Sequence, residues 1–241
     1  MFADDPLPMA SAVLVLCKCF NNIPMLFPTL KNKKFGYVNL DLEARKWIAE
    51  KKADQKSNPL LDPKVCQEMV NDVNRKYGLD FSYGGWMEDR SFLWRGSYLD
   101  EKKIYIHLGI DLSVPAGTPV AATFDAEVVK IDDDYPEVGG WGTRVILKHK
   151  TELLYFIFAH LDRKAECNAG DMLKRGGIFA KAGKPPFNGN WFEHLHLQAI
   201  TEEYYREIEE KNLWDELDGY GSEKDIKLNA KRFPDPIKFI F

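Results

Sequence analysis

Three features that would quickly classify a chain of 241 residues are missing from this sequence. Four cysteines, Cys17, Cys19, Cys66 and Cys167, are too few and too scattered for a disulfide framework, so we predict reduced, structural thiols. No apolar run approaches the ~20 residues that a membrane-spanning helix needs, which argues against membrane insertion. With 33 Lys and Arg against 37 Asp and Glu, and no dense basic cluster, nucleic acid is not an expected partner.

The amino-terminal segment is a poor match to a secretory signal. The apolar stretch MASAVLVL, residues 9–16, follows the acidic MFADDPLP, which contains no Lys or Arg, and no cleavage site follows it cleanly. We therefore predict a buried strand or helix that packs against the main domain. This favours a cytoplasmic location slightly over a secreted or periplasmic one.

Residues 39–78 have a helical pattern. After the breaker KSNPL, the segment DPKVCQEMVNDVNRKY begins with Asp62 as a good N-cap and Pro63 as a good first residue, and Gly78 is a good stop. A core-facing stripe at four-residue spacing contains Val65, Met69 and Val73. We predict that residues 1–90 form a partly helical extension that packs on a main domain of residues 91–241.

Beyond Gly78 the sequence changes to short apolar runs separated by turns. The predicted strands are rich in Val, Ile, Phe and Tyr and include IYIHLGIDL, PVAATFDAEVVKI, TRVILKH, LLYFIFAH, GIFAKAG and HLHLQAI. Their connections are rich in Gly, Pro and Asp, and one amphipathic helix, EEYYREIEEKNLW, follows the last strand. Closely spaced strands without intervening helices predict a mainly β fold, an antiparallel sheet or sandwich.

The stretch HLHLQAI places two of the five histidines one residue apart. Alternate side chains of a strand lie on opposite faces, so His194 and His196 share one face while Leu195 and Leu197 share the other. Two imidazoles side by side are a costly use of a sheet surface unless a metal holds them, and such a pair indicates a metal site only in combination with further ligands. A single histidine in a strand has usually no such role, and we assign His149 to that class.

The stretch HLGID contains a second pair of possible ligands. On a straight strand His107 and Asp111 would be about 13 Å apart, too far for one zinc ion, whose ligands lie ~2 Å from the metal. Gly109 stands midway, where a bend would bring them together. With one histidine of the HLH pair this gives three ligands, the composition of a catalytic zinc site. The other histidine of the pair and His160 would stand beside the metal as acid–base groups.

From about Arg95 to Pro236 the sequence resembles the lysostaphin/LytM-type zinc endopeptidases, the twenty-third metallopeptidase family. The resemblance includes H-x-G-x-D in HLGID, the following SVPAGTPV, then GGWGTRVILKH, FAHLD, AGDMLKRGGIFAKAG, HLHLQAI and PDP, in the order and spacing of the family. It implies zinc as the cofactor, bound by His107, Asp111 and His196, with His160 and His194 as catalytic histidines. It also implies a lysostaphin-like antiparallel β fold that hydrolyses peptide bonds, usually in peptidoglycan cross-links.

The loop GKPPFNGNWFE, which precedes the HLH pair, departs from the family pattern. It is bulkier than the usual Gly-, Ser- and Thr-rich segment, and it would form one wall of the substrate groove. We predict substrate contacts from Asn188 and Trp191 of this loop and from Arg95. The unusual loop leaves the substrate open, either peptidoglycan or a related peptide.

Two further functions are compatible with the sequence. One is a catalytically silent binding or regulatory module of the same fold, although such relatives usually lack a ligand and this chain has all of them. The other is a metal-dependent hydrolase of a different amide, which the unusual loop and the poor export signal favour. Activity on purified cell wall compared with free peptides would separate a peptidoglycan hydrolase from the latter.

Overall fold

A computed structural model describes residues 13–14, 23–51, 57–134 and 140–240. Cys17, Cys19 and most of the 9–16 stretch lie outside these ranges, so the predictions made for them are not addressed. Cys66 and Cys167 are buried free thiols. Among the described residues no helix is both long enough and apolar enough to span a bilayer.

The described residues contain thirteen strands and seven α-helices. The strands are β1 (Val13–Leu14), β2 (Phe35–Val38), β3 (Phe81–Gly84), β4 (Ile104–His107), β5 (Ile110–Leu112), β6 (Pro119–Ala121), β7 (Ala126–Asp134), β8 (Gly142–His149), β9 (Leu154–Leu161), β10 (Met172–Leu173), β11 (Ile178–Lys181), β12 (Leu195–Thr201) and β13 (Tyr220–Ser222). The helices are α1 (Ile23–Leu26), α2 (Leu40–Lys51), α3 (Pro63–Tyr77), α4 (Tyr98–Lys102), α5 (Glu202–Lys211), α6 (Ile226–Arg232) and α7 (Ile237–Ile240). Short 3₁₀ turns cover Pro28–Leu30, Pro59–Leu61 and Glu223–Asp225.

Nine of the strands form one sheet in the order β1-β2-β3-β5-β12-β9-β8-β7-β10. All its neighbouring pairs are antiparallel except β2 and β3, which are parallel. Two small sheets, β11-β6 and β13-β4, complete the structure. The predicted mainly β, antiparallel fold is therefore confirmed.

Both faces of the central strands are buried. Along β9, Phe156 and Phe158 lie in the main core, while Tyr155 and Ile157 lie in a second cluster on the opposite face. Helix α5 covers that second face, where the Tyr205 ring stacks on Tyr155 with the ring centroids 3.7 Å apart. A strand buried on both faces is continuously apolar, which is the pattern of LLYFIFAH.

The amino-terminal region continues the main sheet as well as packing on it. Strand β3 pairs with β5, with Gly84 opposite Asp111, and β2 pairs with β3. The division into domains at residue 90 stays a prediction. The ends of α3 are as predicted, because the Asp62 carboxylate accepts the backbone N–H of Lys64 at 2.8 Å and Gly78 adopts a left-handed conformation with φ of 64°.

Candidate metal centre and active-site cleft

The predicted bend between His107 and Asp111 is present. Strand β4 ends at His107 and β5 begins at Ile110, and the break brings His107 Nε2 within 3.3 Å of Asp111 Oδ1. Gly109 is required there for close approach rather than for an unusual φ. A Cβ at this position would lie 2.5 Å from the carbonyl oxygen of Leu197 and 2.8 Å from His196 Nε2.

Strand β12 begins at Leu195, so it carries His196, and His194 immediately precedes it. His196 is opposite Asp111 of β5 on one side and opposite Ala159 of β9 on the other. Leu195 and Leu197 point to the opposite face and are fully buried in the main core. The same face of the strand that holds His196 therefore meets the HLGID bend.

Three possible ligand atoms converge at this point: His107 Nε2, Asp111 Oδ1 and His196 Nδ1. His107 Nε2 lies 3.1 Å from His196 Nδ1, and Asp111 Oδ1 lies 2.9 Å from His196 Nδ1. Tetrahedral zinc with ligands at ~2.0–2.1 Å would hold its ligand atoms about 3.3 Å apart. The donor set and its spacing thus fit a zinc ion.

The other ring nitrogen of each of these two histidines has a fixed partner. His107 Nδ1 lies 3.0 Å from the backbone oxygen of Gly85, and His196 Nε2 lies 3.0 Å from Oε1 of Gln198. Each partner accepts an N–H, which leaves the nitrogen that faces the centre with a free lone pair. Such contacts orient metal-binding imidazoles.

The Asp111 carboxylate is held from behind by a buried arginine. Asp111 Oδ2 accepts a hydrogen bond from Arg90 Nη1, which also donates to the Tyr220 hydroxyl at 3.0 Å. Arg90 Nη2 lies 3.3 Å from Glu88 Oε2. Arg90 is 0% exposed, and sequence reasoning missed both it and Glu88.

His160 and His194 lie beside the ligand cluster with their ring centroids 4.3 Å apart. His194 Nε2 is 3.7 Å from Asp111 Oδ1, and no protein atom hydrogen-bonds to it. His194 Nδ1 donates to the Phe192 carbonyl at 2.7 Å, and His160 Nδ1 donates to the Asn188 carbonyl at 2.8 Å. Both rings therefore keep Nε2 as the proton acceptor.

Burial keeps the imidazoles of His107, His160 and His194 neutral. Burial, together with the nearby charge of Arg90, lowers the pKa of His107 to about 4. Burial also lowers the pKa of His194 to about 4 and that of His160 well below its usual value. For Asp111, burial opposes ionisation, but His107 and Arg90 outweigh it and hold the pKa well below the usual range. Neutral histidines and an ionised aspartate are the forms that bind a metal cation.

A cleft of about 1020 Å³ opens onto the centre. Asp111, His160, His194 and His196 line its floor. Six aromatic residues line the cleft: Trp94, Tyr98, Trp141, Trp191, Trp214 and Tyr220. Leu61 comes from the amino-terminal region and Trp214 from the segment after α5, so segments on both sides of the central strands contribute to the walls.

The three predicted substrate contacts have different positions. Trp191 lines the cleft and packs on Trp94 with the ring centroids 4.4 Å apart. Asn188 is fully buried, and its amide donates to the carbonyls of Trp191 and Phe192 at 3.2 and 3.0 Å, so in this structure its side chain stabilises the loop; its contact with substrate stays a prediction. The Arg95 guanidinium lies 4.8 Å from the Phe92 ring centroid and is not part of the cleft lining.

Comparisons with known proteins relate part of this chain to a peptidase family. Residues 105–207 match the profile of peptidase family M23. An uncharacterized metalloprotease of Haemophilus influenzae is 34% identical over 96 residues, which are 40% of this chain and 19% of that protein. The chain therefore spans less than a fifth of that relative's length.

Several solved structures are also similar. LytU is 29% identical, with 40% of this chain and 63% of that chain covered and a TM-score of 0.35. A zinc containing peptidase from Vibrio cholerae is 25% identical, with 41% and 28% covered and a TM-score of 0.34. The lysostaphin catalytic domain from Staphylococcus simulans is 22% identical, with 56% and 80% covered and a TM-score of 0.39.

Proposed function

Because residues 105–207 match the profile of peptidase family M23, we propose that the protein is a zinc-dependent metalloendopeptidase. The observation that carries this proposal is the convergence of His107 Nε2, Asp111 Oδ1 and His196 Nδ1 within 3.3 Å of one another, beside two further histidines. Three protein ligands leave a zinc ion open for chemistry, whereas structural zinc sites have four.

The chain would hold the metal through these three atoms. When bound, zinc supplies Lewis acidity, which polarises a carbonyl group and lowers the pKa of water.

His160 and His194 would supply proton transfer. Their carbonyl partners fix the proton on Nδ1, so each neutral ring can accept a proton at Nε2 but cannot donate one from it. Removal of a proton from the attacking water would create the N–H that then serves the leaving amine or the oxyanion.

The proposed substrate is a peptide, and peptidoglycan cross-links are the substrate that the family suggests. A cleft open to solvent with aromatic walls can hold an extended chain across the histidine pair. The bond that is cleaved and the compartment in which it is cleaved stay predictions.

The experiment that tests this function measures the release of free amino groups from purified peptidoglycan and from free peptides. Zinc-loaded wild type should release amines from at least one substrate, and the release should stop with a chelator and return with zinc. A zinc-loaded protein that cleaves neither substrate would contradict the proposal. Cleavage of free peptides alone would exclude peptidoglycan.

A further inference from the structure

The segment between β3 and β4 hydrogen-bonds to two of the candidate ligands, although it precedes the family match, which begins at residue 105. The Gly85 carbonyl accepts His107 Nδ1 at 3.0 Å, and Arg90 binds Asp111. Both contacts come from a stretch of six residues, Gly85 to Arg90. It therefore touches two of the three ligands from outside the matched part of the chain.

The two carboxylate oxygens of Asp111 have different partners. Oδ2 accepts from Arg90 Nη1, while Oδ1 faces His196 Nδ1 at 2.9 Å and His107 Nε2 at 3.3 Å. The planar fork of the guanidinium presents Nη1 to Asp111 and Tyr220 and Nη2 to Glu88, so these partners fix the direction from which Nη1 reaches Oδ2. Because Arg90 occupies Oδ2, Asp111 can offer Oδ1 to the metal, and Oδ1 points toward His107 and His196.

Glu88 holds Arg90 in turn. Its Oε2 lies 3.3 Å from Arg90 Nη2 and accepts the Gly85 backbone N–H at 2.8 Å. Its Oε1 accepts the backbone N–H of Leu40 at 2.8 Å, at the amino terminus of α2, where a carboxylate is favoured. The carboxylate therefore ties the ligand-holding stretch to a helix of the amino-terminal region.

The space around the guanidinium leaves no alternative position. Arg90 and Glu88 are 0% and 6% exposed. A Cβ at Gly84 would overlap Arg90 Nη2. Gly84 is opposite Asp111 in the β3–β5 pair, so the glycine gives the guanidinium the room it needs next to the ligand.

We propose that Arg90, held by Glu88, is a positioning residue that sets the orientation of Asp111 and with it the metal affinity of the site. This proposal rests on the proposed function, because it requires that the cluster binds a metal. It assigns to the amino-terminal region a role in metal binding beyond packing on the main sheet.

The test measures zinc affinity, by competition with a chromophoric chelator, in the full chain. Arg90→Lys keeps the positive charge and loses the fork, and we expect a loss of about 10- to 100-fold. Gly84→Ala removes no polar group, but its methyl group would displace the Arg90 guanidinium. We therefore expect a loss of zinc affinity in the same range. Arg232→Lys is the control, because Arg232 pairs with Glu207 at 3.2 Å and does not contact the ligands.

Cobalt provides a readout that stability alone would not change. In a correctly folded variant, judged by circular dichroism, Arg90→Lys should shift the visible absorption of bound Co²⁺, and Arg232→Lys should not. Wild-type zinc affinity and an unchanged cobalt spectrum in Arg90→Lys would overturn the proposal. If that variant does not fold, wild-type affinity in Gly84→Ala would overturn it. Failure of wild type to bind either metal would instead refute the proposed function.

Discussion

The two faces of β12 differ in the kind of contact that their side chains make: one face packs in the apolar core, and the other forms specific polar contacts. Leu195, Leu197 and Ala199 contact the main core, where many apolar neighbours share the contact. His196 and Gln198 of the strand, and His194 just before it, face the cluster, where each side chain has one to three specific polar partners. A core position tolerates another side chain of similar volume. The polar positions depend on single atoms contributed by distant segments, so we expect the two faces to fail in different ways.

The largest effect is expected on the polar face. His196→Ala removes one of three candidate ligands, so zinc affinity and all hydrolysis should be lost. The core face remains intact, and the metal-free variant should still fold. Zinc titration and circular dichroism of the variant would check both statements. Tight stoichiometric zinc binding by this variant would contradict the site.

His160→Ala should separate chemistry from metal binding. The ring lies beside the cluster but is not part of the ligand set, so zinc should stay bound while turnover falls by about 10²–10⁴-fold. The measurement is kcat together with metal content. His149→Gln is the matched control, because that histidine accepts backbone N–H groups at the end of β8 and should leave both quantities unchanged. Full activity in His160→Ala would exclude a catalytic role.

Leu197→Ala tests the apolar face. Removing a fully buried leucine should lower the free energy of unfolding by about 2–5 kcal/mol, while folded protein retains stoichiometric zinc. Urea unfolding measures the change. Leu153→Ala is the control, since that side chain is 73% exposed and its loss should change stability by less than about 0.5 kcal/mol. Equal effects of the two substitutions would contradict the core assignment.

The metal-free protein should become less stable as the pH falls from about 6.5 to about 4. His107 and His194 have a pKa of about 4 in the folded chain, so only the unfolded chain takes up their protons in that window. Each of the two contributes up to about 3 kcal/mol, which is present above pH 6.5. Urea unfolding at pH 7.5, 6 and 5 with a chelator measures it. A constant unfolding free energy would show that the rings are not buried in neutral form.

The smallest effect is expected at the end of the same strand. The Thr201 hydroxyl caps α5 by accepting the Tyr204 backbone N–H at 3.4 Å. Thr201→Ala should cost about 1 kcal/mol of unfolding free energy and leave zinc affinity unchanged, because the cap is remote from the cluster. A change in zinc affinity would mean that the two faces are not independent.

The ligands could be predicted from the sequence because their signals are local. His-x-His gives a shared face by strand alternation alone, and a glycine between His107 and Asp111 gives the bend. Gln198 has the same alternation with His194 and His196, so its place beside the metal ligand could have been predicted as well. Local spacing was sufficient to predict the site residues that lie within one short segment of the chain.

Other parts of the site depend on pairing between distant segments, which one sequence does not reveal. Nothing local marks Arg90 as buried, because arginine is mostly exposed unless a carboxylate pairs with it, and Asp111 is 21 residues away. The parallel β2–β3 pair could not be predicted either, because the two short strands are separated in the sequence by α2 and α3. Asn188 was predicted as a substrate contact because its loop precedes the HLH pair, and the sequence did not reveal that its amide donates to the carbonyls of Trp191 and Phe192.

The most direct test of the account is the metal content of the purified protein, measured by elemental mass spectrometry on wild type and Asp111→Ala after exposure to zinc and removal of the excess. The account predicts about one zinc per chain in wild type and almost none in Asp111→Ala. No zinc in wild type, or equal zinc in both proteins, would contradict it.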